Sequence, residues 1–167
     1  MWIFGYGSLV WRPAMPYAER RAGYVSGWSR RFWQGSPDHR GVPGQPGRVV
    51  TLVRDPDAVC WGMAYRLEAE DFPAVLDELD YREKAGYERL QQIVHYKGGS
   101  LQALVYIATE DNPNFLGPAT AEQIADVARE SHGPSGSNLE YVLELARALR
   151  EMGADDPHVF EIEALLR

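Results

Sequence analysis

The rhythm of apolar and polar positions changes partway along the chain. Up to residue 108 the apolar residues come in short runs that suit strands, and beyond residue 120 they recur at helical spacing. Met1, Trp2, Ile3 and Phe4 read as a short buried strand. Residues 23–34 mix Tyr24, Trp28, Phe32 and Trp33 with arginines in an alternating pattern, which predicts one or two strands. Residues 48–53 read as a buried strand, Asp55-Pro56-Asp57 as a turn, and residues 60–67 as another strand. Phe72, Val75, Leu76 and Leu79 fall at i, i+3, i+4 and i+7, the stripe of an amphipathic helix ending near Leu79. Residues 87–96 and 101–108 predict two strands joined as a hairpin by Lys97-Gly98-Gly99-Ser100.

The last third carries helix signals. Thr120-Ala121-Glu122-Gln123 is a capping box, followed by an apolar stripe of Ala121, Ile124, Ala125 and Ala128. Gly133-Pro134 ends that helix. Ser137-Asn138-Leu139-Glu140 reads as a second capping box, with Leu139, Val142, Leu143, Ala146 and Leu149 facing inward until Gly153. Asp156-Pro157 opens a final short helix ending near Leu166. Strands first and helices afterwards argue for an α+β fold with a mostly antiparallel, barrel-like sheet. One domain over residues 1–167 is expected. Residues 35–47 are too rich in Gly and Pro for helix or central strand, and long loops in compact domains are often functional.

Composition narrows the partners. The net charge of −7 argues against nucleic acid. The single cysteine, Cys60, permits no internal disulfide and fits a reducing compartment. No apolar run is long enough to span a bilayer, and no basic segment followed by an apolar one marks a signal peptide. A soluble cytoplasmic protein with no membrane partner is the expectation.

The most informative stretch is Phe4-Gly5-Tyr6-Gly7-Ser8-Leu9-Val10-Trp11. A strand that breaks into Gly-Tyr-Gly-Ser offers backbone N–H groups and a hydroxyl, a cradle for a small anion. A tight turn is the plainer reading of Gly-x-Gly by itself. The third glycine of a dinucleotide fingerprint is missing, and Pro13 and Pro16 follow instead of a helical pattern. The second stretch is Asp80-Tyr81-Arg82-Glu83-Lys84-Ala85-Gly86-Tyr87, placed by the pattern between helix and strand. Such a charged cluster is usually a solvated face, yet a carboxylate held at an element terminus suits a general base. On composition Glu83 stands slightly ahead of Asp80.

Weaker candidates surround these. His39, His95, His132 and His158 show no metal-ligand spacing, so no metal is expected. Cys60 beside Trp61 reads as a buried inert thiol, and Ser8 lacks a nucleophile elbow. Arg30, Arg31, Arg40 and Arg48 are each as readily surface residues as ligands for a substrate carboxylate. Tyr141, among apolar helix positions, reads as core packing or as a hydroxyl reaching a polar site.

Taken together, several ordered blocks resemble the ChaC family, the glutathione-specific γ-glutamylcyclotransferases. They are Phe4-Gly5-Tyr6-Gly7-Ser8-Leu9, Ser29-Arg30-Arg31-Phe32-Trp33-Gln34-Gly35-Ser36, Asp38-His39-Arg40-Gly41 and Pro46-Gly47-Arg48-Val49-Val50-Thr51-Leu52. Arg82-Glu83-Lys84, Gly86-Tyr87, Asp111-Asn112-Pro113 and Gly133-Pro134-Ser135-Gly136 continue the likeness in order. Ala85 departs from it, since family members often carry a second glycine there. The resemblance implies a small β-barrel flanked by helices. It implies that Tyr6, Gly7, Ser8 and Leu9 bind the γ-glutamyl group, with Arg40, Arg48 and Tyr141 as further substrate-binding candidates. It also implies that Glu83 is the catalytic acid/base of a lyase that takes glutathione to 5-oxoproline and cysteinylglycine without cofactor or metal. Two other readings stay open: a cyclotransferase for other γ-glutamyl compounds, and a non-catalytic binder on the same scaffold.

Overall fold

The computed structural model describes residues 1–13 and 15–167, with every side chain among them except those of Leu79, Arg82 and Glu83. The strands are β1 (Trp2–Gly5), β2 (Glu19–Ser36), β3 (Gly47–Arg66), β4 (Tyr87–Tyr96) and β5 (Gly99–Ala108). They close into a barrel in the order β1-β3-β2-β4-β5. β1 pairs with β3, β2 with β4 and β4 with β5 antiparallel, while β1 meets β5 in parallel, at Ile3 and Leu104. Among the described residues four α-helices accompany the barrel: α1 (Phe72–Lys84), α2 (Ala121–Glu130), α3 (Asn138–Glu151) and α4 (Pro157–Leu166). Short strands β6 (His132–Gly133) and β7 (Gly136–Ser137) pair ahead of α3. The α+β barrel expected from the strand-then-helix order is the fold observed.

The chain divides into two compact units, and β2 and β3 contribute residues to each. The first comprises Met1–Ser29 and Leu52–Pro113, the second Arg30–Thr51 and Asn114–Arg167. In the first unit, Ile3, Leu67, Val75 and Tyr106 form a buried cluster, with Phe72 and Tyr87 packed against it. That cluster fixes α1 through the apolar residues of its first turns. In the second, Phe32, Ile124, Tyr141, Leu145, Leu149 and Ile162 are among the buried residues. Helix α4 is capped by Asp156, whose side chain accepts the Val159 N–H at 3.2 Å.

Several expectations change. The Asp55-Pro56-Asp57 turn is absent, because β3 runs unbroken from Gly47 to Arg66. Pro56 and Asp57 are exposed there, and the Asp57 N–H turns back to the Asp55 carboxylate at 3.3 Å, so neither needs a ladder partner. The alternation in β2 shifts at Gly27, which takes φ +84°. Gly23 and Val25 are buried before it, and Trp28, Arg30, Phe32 and Gln34 after it. A left-handed glycine of this kind inserts one residue and lets a single strand of 18 residues stand where two were plausible.

Helix α1 continues past Leu79 to Lys84, because residues 80–84 contain no helix breaker. Leu76 is exposed on its surface, and Leu79 lies outside the described side chains. Glu83 therefore belongs to the last turn of α1 instead of a connecting loop. In α3 the buried set is Asn138, Tyr141, Val142, Leu145, Ala146, Ala148 and Leu149, with Leu139 and Leu143 half-buried. The Thr120 capping box is complete, with bonds of 2.9 and 3.1 Å. At the Ser137 box Ser137 Oγ accepts the Glu140 N–H at 3.0 Å, while the Glu140 carboxylate is taken by Arg40. Helix α2 ends before Gly133, which belongs to β6.

Candidate active site

In the first unit, β1 ends at Gly5 and the chain enters a 3-10 turn, Ser8–Val10. Gly5 is required by close approach: a Cβ there would collide with the Cβ of Leu9. The turn is closed by Val10 N–H to Gly7 O at 3.0 Å and Arg12 N–H to Ser8 O at 2.8 Å. The amides of Ser8 and Leu9 have no acceptor inside so short a turn. Ser8 is exposed and Gly7 half-buried, so this backbone borders solvent. Tyr6 is buried, and its hydroxyl donates to the Tyr106 carbonyl on β5 at 2.5 Å. Tyr65, fully buried on β3, donates its hydroxyl to the Leu9 carbonyl. Burial pushes the Tyr65 phenol up to about 12, so it stays a neutral donor at physiological pH.

The other candidate of this unit sits at the end of α1. The Glu83 backbone is in the helix, and its side chain lies outside the described residues. The Ala85 N–H bonds Tyr81 O at 3.1 Å, after which Gly86 reverses the chain at φ +95°. Asn112, buried, donates from Nδ2 to the Ala85 carbonyl at 3.4 Å. A Cβ on Gly86 would stand 3.1 Å from the same Asn112 nitrogen. The turn bearing Glu83 is thereby tied to the end of the β5 connection. Asp80, the competing carboxylate, is exposed on α1 with Arg89 at 4.0 Å.

The second unit holds Arg40, Arg48 and Tyr141. The Arg40 side chain is 3% exposed; its Nη1 donates to Ser137 O at 3.0 Å and to Glu140 at 3.1 Å. Its guanidinium lies 5.7 Å from the Tyr141 ring centre. Arg48 Nη1 donates to Phe32 O at 3.0 Å and Gly117 O at 2.8 Å, and burial lowers its pKa. Tyr141 is buried, and its hydroxyl accepts the Val50 N–H at 3.2 Å. Arg30 is buried and pairs with Asp156 at 2.9 Å, while Arg31 is half-buried. The 35–47 segment is fastened here too: Ser135 N–H bonds His39 O at 2.9 Å, and Val42 and Gln45 bridge each other.

Sequence reading missed Tyr65, Asn112 as a tether, and Asn138. Asn138 is fully buried, accepting the Arg48 N–H at 2.7 Å and donating to Arg48 O at 2.9 Å. It supplies the pairing that the first residues of β3 would otherwise draw from a strand. Its place after an N-cap serine offered no hint of this. Tyr65 sits in an ordinary run of strand residues, and nothing in the pattern marks its hydroxyl. Cys60 is buried, as the run beside Trp61 implied. Among the described residues no group of His, Cys, Asp and Glu gathers as metal ligands, and no helix is long and apolar enough to cross a membrane.

Backbone amides beside a buried tyrosine, and a glutamate on a tethered helix end, suit recognition of a small polar molecule and proton transfer to it. Comparison with known proteins bears on which one. A glutathione-specific γ-glutamylcyclotransferase 1 from Danio rerio is 45% identical over 173 residues, covering 99% of this chain and 88% of that protein. The Homo sapiens protein of the same name is 45% identical over 170 residues, covering 97% of this chain and 76% of that one. The crystal structure of the selenomethionine-labelled yeast γ-glutamyl cyclotransferase specific to glutathione is 33% identical and superposes with a TM-score of 0.89. It covers 99% of this chain and 95% of that one. The family description of ChaC-like proteins matches residues 1–167, so the chain belongs to the ChaC family.

Proposed function

We propose that this protein is a γ-glutamylcyclotransferase that cleaves glutathione to 5-oxoproline and cysteinylglycine. The observation that carries the reading is the 45% identity, across 99% of the chain, to a protein named for that activity and specificity. The chemistry is an intramolecular displacement. The α-amino nitrogen of the γ-glutamyl residue attacks the γ-amide carbonyl carbon and closes a five-membered ring. The amide C–N bond then breaks, and the amine of cysteinylglycine leaves with a proton. Atoms balance without water, and the reaction gains from effective molarities on the order of 10⁵ M or more when the pose is right.

The roles follow from what each group can do. The α-ammonium loses one proton before it attacks and a second as the lactam N–H forms; Glu83 takes each in turn and passes it to the departing amine, which leaves as the ammonium of cysteinylglycine. The backbone at Tyr6, Gly7, Ser8 and Leu9 holds the γ-glutamyl group through N–H donors, aimed at its α-carboxylate or at the developing oxyanion. Arg40, Arg48 and Tyr141 stand as further substrate-binding candidates. The described bonds of both arginines come from Nη1, and a guanidinium carries five N–H groups. No cofactor takes part in these steps. A cytoplasmic setting fits a single buried thiol and a substrate kept reduced.

The test is direct. Purified protein incubated with reduced glutathione is expected to release 5-oxoproline and cysteinylglycine in equal amounts by mass spectrometry, with or without EDTA. Release from γ-glutamyl amino acids but not from glutathione would assign the broader cyclotransferase. Release from neither would leave a binding protein.

A further inference from the structure

The Gly5–Leu9 region owes its shape to three tethers from within the first unit. Leu9 is seated directly on Gly5, where no side chain fits. The Tyr6 hydroxyl anchors to β5 through the Tyr106 carbonyl at 2.5 Å. The third tether, Tyr65, reaches in from β3 and donates to the Leu9 carbonyl. The bonds that close the turn use the carbonyls of Gly7 and Ser8, and Tyr65 serves the Leu9 carbonyl at its end.

Tyr65 is itself held rigidly. It is fully buried, its backbone pairs with Ile3 of β1, and the Tyr17 ring packs on it with centroids 5.0 Å apart. A phenol this constrained fixes the plane of the peptide whose carbonyl it grips, the one that joins Leu9 to Val10. Turning that peptide would turn the amides that precede it in the turn.

We infer that Tyr65 is a positioning residue for substrate binding: its hydroxyl locks the turn so that the Gly7, Ser8 and Leu9 amides converge on the γ-glutamyl group. This rests on the cyclotransferase reading proposed above. Tyr65 touches no reacting atom, and turn amides held on the α-carboxylate grip the substrate alike before and during ring closure. Loss of the hydroxyl therefore weakens binding uniformly, which raises KM and spares kcat.

The experiment is steady-state kinetics of the wild type, Tyr65→Phe and Tyr17→Phe with glutathione, alongside their melting temperatures. Phe keeps the buried ring and removes one oxygen. Tyr65→Phe is expected to raise KM roughly 5- to 10-fold, the worth of one hydrogen bond, with kcat within about twofold of wild type. Tyr17→Phe, which keeps the ring packing, is expected to leave both constants unchanged. A lowered melting temperature with unchanged KM in Tyr65→Phe would mean the hydroxyl serves stability alone and overturn the inference. An equal KM rise in Tyr17→Phe, whose ring stays packed, would overturn it too, by showing that KM does not answer to the Tyr65 hydroxyl in particular. Wild-type protein that releases no 5-oxoproline would overturn the cyclotransferase reading itself, and the inference with it.

Discussion

The two compact units hold their candidate residues in different ways. In the first, buried phenols hold main-chain carbonyls: Tyr6 takes Tyr106 O, and Tyr65 takes Leu9 O. What is left toward solvent is backbone around Gly7 and Ser8. In the second, the candidate side chains themselves are engaged with their own chain. Arg40 holds Ser137 O and Glu140, Arg48 holds two carbonyls, and the Tyr141 hydroxyl receives Val50 N–H. The first unit is built to present backbone, and the second uses cations and amides as internal fasteners. An arginine in a motif is thus no measure of an available charge.

Arg40 gives the sharpest way to break that contrast. Arg40→Met removes a cation that is 3% exposed and leaves the Ser137 carbonyl without that donor. A loss on the order of 2–3 kcal/mol is expected, roughly 5–10 °C in melting temperature for a chain of this size. The ion pair with Glu140, whose carboxylate is 49% exposed, contributes little of this. An unchanged melting temperature would deny the fastening role.

His158 tests the second unit by pH. Its Nε2 accepts the Phe32 N–H at 3.1 Å, so the ring is neutral with its proton on Nδ1. Burial, helped by the charges of Arg31 and Arg30, lowers its pKa from 6.5 to about 4. The unfolded chain therefore binds more protons than the native one between these values, and stability rises with pH across that window. Acidification from about pH 6.5 to 4 is expected to cost on the order of 2 kcal/mol at this residue, allowing for its partial exposure. His158→Gln should flatten that part of the stability–pH curve. A wild-type curve already flat there would contradict the assignment.

How much of this was legible in the sequence differs between the same regions. The helix caps at Thr120 and Asp156 were readable because capping chemistry is local. The turn at Gly5 was readable because its glycines answer a local demand. The continuity of β3 through Pro56 was not, since it depends on pairing partners distant in sequence. The fate of Glu140 was hidden for the same reason: the box pattern is local, but Arg40 lies 100 residues away and takes the carboxylate. Residue chemistry named Glu83 and Arg40 as candidates among others and the resemblance singled them out, while Tyr65 and Asn138 act through contacts that no residue pattern encodes.

The smallest effect is expected at Cys60. It is buried, with Sγ 3.7 Å from Trp61 O. Cys60→Ser should cost about 1 kcal/mol of stability by burying a hydroxyl, and leave kcat for glutathione within about twofold. A folded but inactive variant would make the thiol part of the chemistry and end its reading as packing.

In the proposed mechanism everything turns on Glu83, which carries the proton during ring closure. The measurement that tests this most directly is kcat for glutathione in Glu83→Gln, with Asp80→Asn as the control on the same helix. Gln keeps size and shape but cannot take the proton. Turnover of Glu83→Gln is expected to fall at least about 10²-fold, with KM little changed, while Asp80→Asn stays near wild type. Near-wild-type turnover in Glu83→Gln beside a dead Asp80→Asn would move the base to Asp80. Wild-type rates in both would contradict a carboxylate base altogether.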